Sequence, residues 1–464
     1  MYKYSDLHAY QQKSITLMYE SDGILAVLPM GAGKTVIALT AFNELKQANE
    51  IRRGLVIANK RIAFSVWPNE PCKWEHIQHL SVVCLAGSKK ERYDLLHSDF
   101  DLCTVTTNNM GWLYDIIDSW PPDSPIFDML IVDEASMFKT PKSVRAKTLR
   151  KLAKRFKIIW LLTGTPRPNS EADYFVPMSV ITRDNLWGKS FYQWREKHFY
   201  AVDYKRRQWV AHSHSAIQIK EDVSQHSFSV PLEAIPRPAS DPIVHEVCLP
   251  NASMAAYKQM EKYLAAEVEG KSIAAFDMAV SVGKLAQITQ GFVYDEDKNA
   301  IDMNSSKLDM ASEIVEQAGG DAILFIYWFQ HDLVSLSRLI PNIPVIGSGV
   351  SDKEAAGIQN EWNSGNLPYL ALQPASGGHG LNLQGTPAQI IHYSLIWSAE
   401  LYEQAIARVA RQGYAGGDCV MNHHIVAKNT IDEMKLLRIK KKISNQEAAV
   451  AYLSKIMEND YDGQ

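Results

Sequence analysis

The chain has 464 residues, 46% of them hydrophobic and 22% charged, with a formal net charge of −4. That length exceeds one ordinary hydrophobic core and points to two domains of about 150 to 200 residues with additions. The composition excludes wholesale disorder, and the slightly acidic balance excludes a uniformly basic nucleic-acid binder.

Along the first third, short apolar and often β-branched runs alternate with helical patterns. Strands are expected at Ile24–Leu28, Leu55–Ala58, Val82–Leu85, Leu102–Thr106, Met129–Val132 and Ile158–Leu162, with helices over Thr35–Ala48 and Ser143–Phe156. From Arg183 to about Ser240 the pattern changes to crowded aromatics and bases, then to Pro231, Pro236, Pro238 and Pro242, which reads as an insertion and linker. A second series follows, with strands at Ala322–Tyr327, Pro344–Ile346, Tyr369–Leu372, Gln389–His392 and Val420–Ile425 and helices at Asp332–Leu339, Asp352–Asn363 and Ala399–Arg411. Such alternation predicts an α/β chain of two doubly wound, mainly parallel lobes. The boundaries expected are 1–182 for a first lobe, 183–245 for the insertion and linker, 246–445 for a second lobe and 446–464 for a tail.

Charge is segregated. Lys139 to Lys157 holds nine Lys or Arg and no acid, and Lys435 to Lys442 is similar; runs of this kind are more often solvated helix faces than binding sites. Cys72, Cys84, Cys103, Cys248 and Cys419 form no CxxC pair, which fits a reducing compartment rather than a zinc module. The start has no signal-peptide core and Ala322–Phe329 is too short to span a bilayer, so a cytoplasmic location and no membrane partner are expected.

The segment Leu28-Pro29-Met30-Gly31-Ala32-Gly33-Lys34-Thr35 runs from a strand into a helix, the context a phosphate loop needs. Gly31 and Gly33 let backbone N–H groups approach phosphate, with Met30 and Ala32 completing the loop. Lys34 would neutralise the β- and γ-phosphates and Thr35 would ligate magnesium. Leu28 stands where the strict pattern has its first glycine. Asp133-Glu134 follows the apolar Met129–Val132, at the strand end where open α/β sheets bind ligands. Asp133 suits the magnesium shell and Glu134 the activation of water, although two adjacent acids also cap helices. The Thr163-Gly164-Thr165-Pro166 turn after a third strand suits a nucleotide sensor.

Together these residues resemble a superfamily 2 helicase of the Swi/Snf-like DNA translocase branch, over most of the chain. Leu7-His8-Ala9-Tyr10-Gln11 is similar to the adenine-reading LxxYQ of that family, which implies a base contact for Gln11. Trp67, Glu70 and Trp74 resemble its W..E..KW segment and are expected to be packing residues. Asp133-Glu134-Ala135-Ser136 resembles the DEAH or DEAD box, Ser136 being a departure; Lys139 and Ser143 echo its downstream K..S. Ser305-Ser306-Lys307-Leu308 resembles the S.K region. Ser376 to Leu383, including Gly380, resembles the glycine-rich motif V that touches phosphates and the ATP cleft. Gln404, Arg408, Arg411 and Gly413 resemble QxxxRxxRxGQ, with Tyr414 replacing the last Gln. Offsets of four and seven would set Gln404, Arg408 and Arg411 on one helix face, with Arg411 first and Arg408 second as arginine fingers.

The resemblance implies an ATP- and magnesium-dependent DNA translocase or helicase, gripping double- or single-stranded DNA largely without regard to sequence. The 139–157 run and the aromatic-basic stretch at 187–209, with Trp187, Trp194 and Trp209, are candidates for the DNA track. A nucleotide-controlled binding switch without processive movement is the alternative.

Overall fold

The computed structural model describes the chain apart from residues 122–125, 165–169, 203, 205, 207–208, 271–274, 296, 378–380 and 442–464. Its contacts divide it into two units, Met1–Ile235 and Pro236–Gln464.

The strands of the first unit are β1 (Gly23–Val27), β2 (Gly54–Ala58), β3 (Val82–Cys84), β4 (Leu102–Thr106), β5 (Met129–Asp133), β6 (Ile158–Thr163), β7 (Phe199–Ala201), β8 (Trp209–Ala211) and β9 (Ser227–Ser229). Seven make one parallel sheet in the order β3-β4-β2-β5-β6-β1-β9, while β7 and β8 form a separate antiparallel hairpin. The sheet is covered on both faces. Leu130 and Val132 of β5 join one apolar cluster and Met129 and Ile131 the other, as alternation along a strand requires. This explains why β5 and β6 are apolar at nearly every position.

The stretch expected as insertion contributes to this unit's core. Trp194, Phe199, Ile219 and Val223 are buried in the first cluster, and β9 pairs with β1. Trp187 stacks on Trp194 with ring centroids 4.9 Å apart and donates its indole N–H to Asp222 at 2.7 Å.

The second unit contains β10 (Pro242–Val247), β11 (Phe292–Tyr294), β12 (Ala300–Asp302), β13 (Ala322–Ile326), β14 (Val345–Ile346), β15 (Tyr369–Leu372), β16 (Ala388–His392) and β17 (Asn422–Ala427). Six of them form a parallel sheet ordered β10-β17-β16-β13-β15-β14, with β11 and β12 an antiparallel pair. Leu324 and Ile326 of β13 face one cluster, Ile323 and Phe325 the other. Both units are thus doubly wound, RecA-like α/β lobes.

One expectation fails here. The helix predicted over Ala399–Arg411 ends at Ile406, and residues 407–409 are turns. Arg408 and Arg411 therefore do not share a helix face with Gln404. The chain instead folds back, the Leu383 N–H donating to the Arg408 carbonyl at 2.8 Å. A tertiary contact overrides a run of good helix formers.

Candidate active site

In the first unit the phosphate loop connects β1 to the helix Lys34–Gln47. Gly31 and Gly33 have φ of 83° and 78°, the left-handed region that only glycine adopts at no steric cost. Gly33 is constrained twice, because a Cβ there would stand 2.5 Å from Gln11 Nε2. Gln11 is buried and holds the loop: Nε2 donates to the Ala32 carbonyl at 3.1 Å while Oε1 accepts from the His8 N–H at 2.9 Å. Tyr10 reaches the same carbonyl through its hydroxyl at 3.2 Å.

Lys34 Nζ donates to the Leu28 carbonyl at 3.2 Å and stands 3.6 Å from Glu134 Oε1. Thr35 follows in the first helical turn. Asp133 ends β5, next to β2 and β6 in the sheet, and Glu134 begins the next turn with φ 59° and ψ 59°. A left-handed glutamate is strained by about 1 to 3 kcal/mol and needs the surrounding structure to hold it. That conformation aims its carboxylate back over the strand end toward Lys34.

Asp133 is buried, and its acidity follows. Burial, then the adjacent Glu134 carboxylate, pushes its carboxyl up to about 6 against the opposing pull of Lys34 and Trp67. Trp67 is the residue the sequence assigned to packing alone: its indole N–H donates to Asp133 Oδ2 at 3.0 Å. Its companions meet each other, Glu70 accepting from Trp74 Nε1 at 3.2 Å and from Lys73 at 2.7 Å.

Magnesium bound with a nucleotide takes one or two protein oxygens and completes its octahedron with phosphates and water. The donor set fits this: a Thr35 hydroxyl, and an Asp133 carboxylate whose charge is costly to bury and is relieved by a cation. Among the described residues no group of three or more His, Cys, Asp or Glu forms a self-sufficient metal cage.

The second unit assembles the other motifs. Gln404 is buried on its short helix, donating to Glu400 Oε1 at 3.4 Å. Arg408, also buried, donates from Nη1 to the Leu381 carbonyl at 3.4 Å, and Arg411 donates to Asn382 Oδ1. Both arginines are thus fastened to the described end of the glycine-rich stretch, a contact that brings two sequence motifs together. Gly380 lies outside the described residues, as do Thr165 and Pro166 of the sensor turn. Asn382 was not foreseen; its place inside the glycine-rich motif was the available signal. Tyr414, the departure at the end of the arginine motif, donates to the Ala388 carbonyl and accepts from the Ala388 N–H, each at 2.8 Å.

On the same helix as Gln404, Tyr402 shares a hydrogen bond with His424 at 3.1 Å and accepts from Asn422 at 3.2 Å. His392 lies against both rings, and burial, then His424, holds it well below the usual histidine range and so neutral. Lys307 of the S.K-like segment is buried in an ion cluster, 2.5 Å from Asp432 Oδ2, with Lys435 at 3.1 Å from Oδ1. Burial alone would push the Asp432 carboxyl up; the two ammoniums outweigh it and hold it at about 2.

Much of the 139–157 basic run serves its own unit. Arg150 and Lys154 pair with Asp184 at 2.6 and 2.8 Å, and Arg155 donates to the carbonyls of Ile117 and Trp120 at 3.2 and 2.8 Å. In the 187–209 stretch, Trp209 lies under the Arg195 guanidinium at 3.8 Å.

The SNF2-related domain family matches residues 10–276, more than half of the chain. Putative protein p41 of Acyrthosiphon pisum secondary endosymbiont phage 1 is 32% identical over 429 residues, spanning 88% of this chain and 90% of that protein. The uncharacterized ATP-dependent helicase YqhH of Bacillus subtilis (strain 168) is 23% identical over 461 residues, covering 92% and 76%. A solved structure of the Sulfolobus solfataricus SWI2/SNF2 ATPase core in complex with dsDNA aligns with TM-score 0.44 and 22% identity over 94% of this chain and 91% of that one. Fold and phosphate loop define a nucleotide-hydrolysing core of helicase type, built from two RecA-like units. The chain belongs to the SNF2-related domain family and uses ATP. Among the described residues no helix is long and apolar enough to cross a membrane.

Proposed function

We propose that this chain is a DNA-stimulated ATPase that converts hydrolysis into movement along DNA, with duplex translocation and strand unwinding as the two forms such movement takes. The observation that carries the reading is the meeting of Lys34, Glu134 and the buried Asp133 at the C-terminal ends of β1 and β5. Gly31, Ala32, Gly33 and Met30 form the cradle for the triphosphate, and Gln11, the base contact in this reading, ties that cradle to the helix Ala9–Tyr19. Lys34 leaves the Leu28 carbonyl to meet phosphate oxygens. Glu134 accepts the proton of the attacking water, its strained backbone fixing where the carboxylate points. Magnesium, held by Thr35 and Asp133, would supply charge neutralisation between the phosphates. Arg411, and second Arg408, are assigned the charge that builds on the transferring phosphate, where such arginines are worth about 10³ to 10⁵ in rate. Gln404 and Gly380 complete the nucleotide contacts in this reading, and the chain passes from one motor lobe to the other at Ile235–Pro236, inside the 183–245 stretch.

Phosphate contacts made without reading bases would give sequence-tolerant, salt-sensitive binding. The test measures ATP turnover with single-stranded DNA, duplex DNA, forks and RNA, scoring strand displacement in the same reactions and translocation by displacement of a third strand from duplex. Stimulation that grows with DNA length supports a motor. Turnover indifferent to DNA, or stimulated without dependence on length, favours the binding switch.

A further inference from the structure

β2 and β5 are neighbours in the first sheet, Ile57 pairing with Val132. After β2 the chain makes a π-helical turn, Ile62–Val66, and the Trp67 N–H donates to the Ile62 carbonyl at 3.2 Å. Two bonds pin this turn: Asn59 Oδ1 accepts from the Ile62 N–H at 3.1 Å, and the Ala63 carbonyl accepts from Thr104 Oγ1 at 2.7 Å. A π turn adds a residue to the winding and re-aims whatever follows, and such turns recur at functional sites. Here it delivers a fully buried indole whose Nε1 donates to Asp133 Oδ2 at 3.0 Å. Indole is a donor only, so it cannot itself compete with the carboxylate for a cation.

We propose that Trp67 is a positioning residue for Asp133: the indole N–H holds Oδ2, fixes the rotation of the carboxylate, and so presents Oδ1 to the divalent cation that accompanies the nucleotide. This rests on the assignment of Asp133 as a metal ligand made above. Without the N–H the carboxylate is free to turn toward the Lys34 ammonium. Partners that orient a metal ligand are typically worth 10- to 100-fold in metal affinity.

The test is Trp67→Phe, which keeps a buried aromatic ring and removes the donor. Mn²⁺ binding in the presence of a non-hydrolysable ATP analogue, followed by electron paramagnetic resonance, is expected to weaken about tenfold or more. Affinity for the analogue in EDTA is expected to stay unchanged. Because the smaller ring leaves space, 3-benzothienylalanine placed at position 67 serves as a second variant, with indole's shape and sulfur in place of N–H; the same loss is expected. In an Asp133→Asn background neither change should weaken metal binding further. Unchanged Mn²⁺ affinity in both variants overturns the proposal, as does an equal loss of analogue affinity with and without metal, which marks a packing role. Asp133→Asn alone separates the two assignments. Unchanged metal affinity there removes Asp133 from the site and the proposal with it; loss there, with none at Trp67, overturns only the positioning role.

Discussion

The two units hold their candidate site residues in different ways. In the first, unlike charges face each other across a strand end, Lys34 3.6 Å from Glu134, and the geometry depends on backbone strain at Glu134 and left-handed glycines at 31 and 33. In the second, guanidiniums are fastened to neutral oxygens, Arg408 to the Leu381 carbonyl and Arg411 to the Asn382 amide, and the chain bearing them is irregular. The first arrangement keeps a lysine and a carboxylate ready to exchange one partner for another. The second orients its guanidiniums on a carbonyl and an amide oxygen.

The sharpest way to break this contrast is Arg411→Ala. It is expected to lower ATP turnover by about 10³-fold or more while nucleotide affinity stays within a few-fold, read by steady-state hydrolysis and calorimetry. Equal losses of affinity and turnover would make Arg411 an ordinary binding residue. Glu134→Gln should come next, about 10² to 10⁴ in turnover with ATP still bound; near-normal hydrolysis removes it as the base.

Stability sharpens the comparison further, because Asp133 of the first unit and Asp432 of the second, both buried, are shifted in opposite directions. Asp432, held at about 2, stabilises the fold above its unfolded value near 4, and this contribution of about 2 kcal/mol is lost as pH falls from 4 to 2. Asp432→Asn leaves Lys307 and Lys435 buried without their carboxylate and should cost about 3 to 5 kcal/mol at neutral pH by denaturant unfolding. Asp133, raised to about 6, has the other sign: the folded protein holds that proton more tightly, so its ionisation opposes folding as pH rises from about 4 to 6. Asp133→Asn in metal-free protein is therefore expected to stabilise by up to about 3 kcal/mol at pH 7 and by little at pH 4, while abolishing turnover. The smallest effect belongs to Tyr414→Phe, about 1 kcal/mol, since it unpairs both polar groups of Ala388 at the entry to β16.

Six of the seven strands of the first sheet were readable to within a residue because parallel strands covered on both faces are apolar throughout; β4 was placed at its observed limits and β5 fell short only by Asp133. Elsewhere polar residues doing strand work moved the limits: the strand expected at Val420–Ile425 is β17, Asn422–Ala427. β17 begins at Asn422-His423-His424, side chains buried by partners on other elements: Asn422 donates to the Ser240 carbonyl at 3.1 Å and His423 shares a hydrogen bond with Gln389 at 3.0 Å. β9 and β10 lay in a segment whose serines and prolines read as linker, yet each completes a sheet edge. The loop and acidic pair were legible because their chemistry depends on neighbours in sequence. Trp67 and Asp133, 66 positions apart, were not, since nothing local announces which buried indole will face a carboxylate. The arginine motif was recognised while its helix was misjudged, because the Leu383 contact that ends it comes from an earlier segment.

Gln11 and residue 33 occupy space that can admit only one of them beyond a hydrogen atom. A methyl group at position 33 evicts the carboxamide, and with it the tether between the loop and the first helix. Under the proposed reading, with Gln11 as the base contact, damage inflicted on the cradle registers as trouble in telling one nucleobase from another, and a genetic screen scoring only that trait would implicate the wrong end of the ligand.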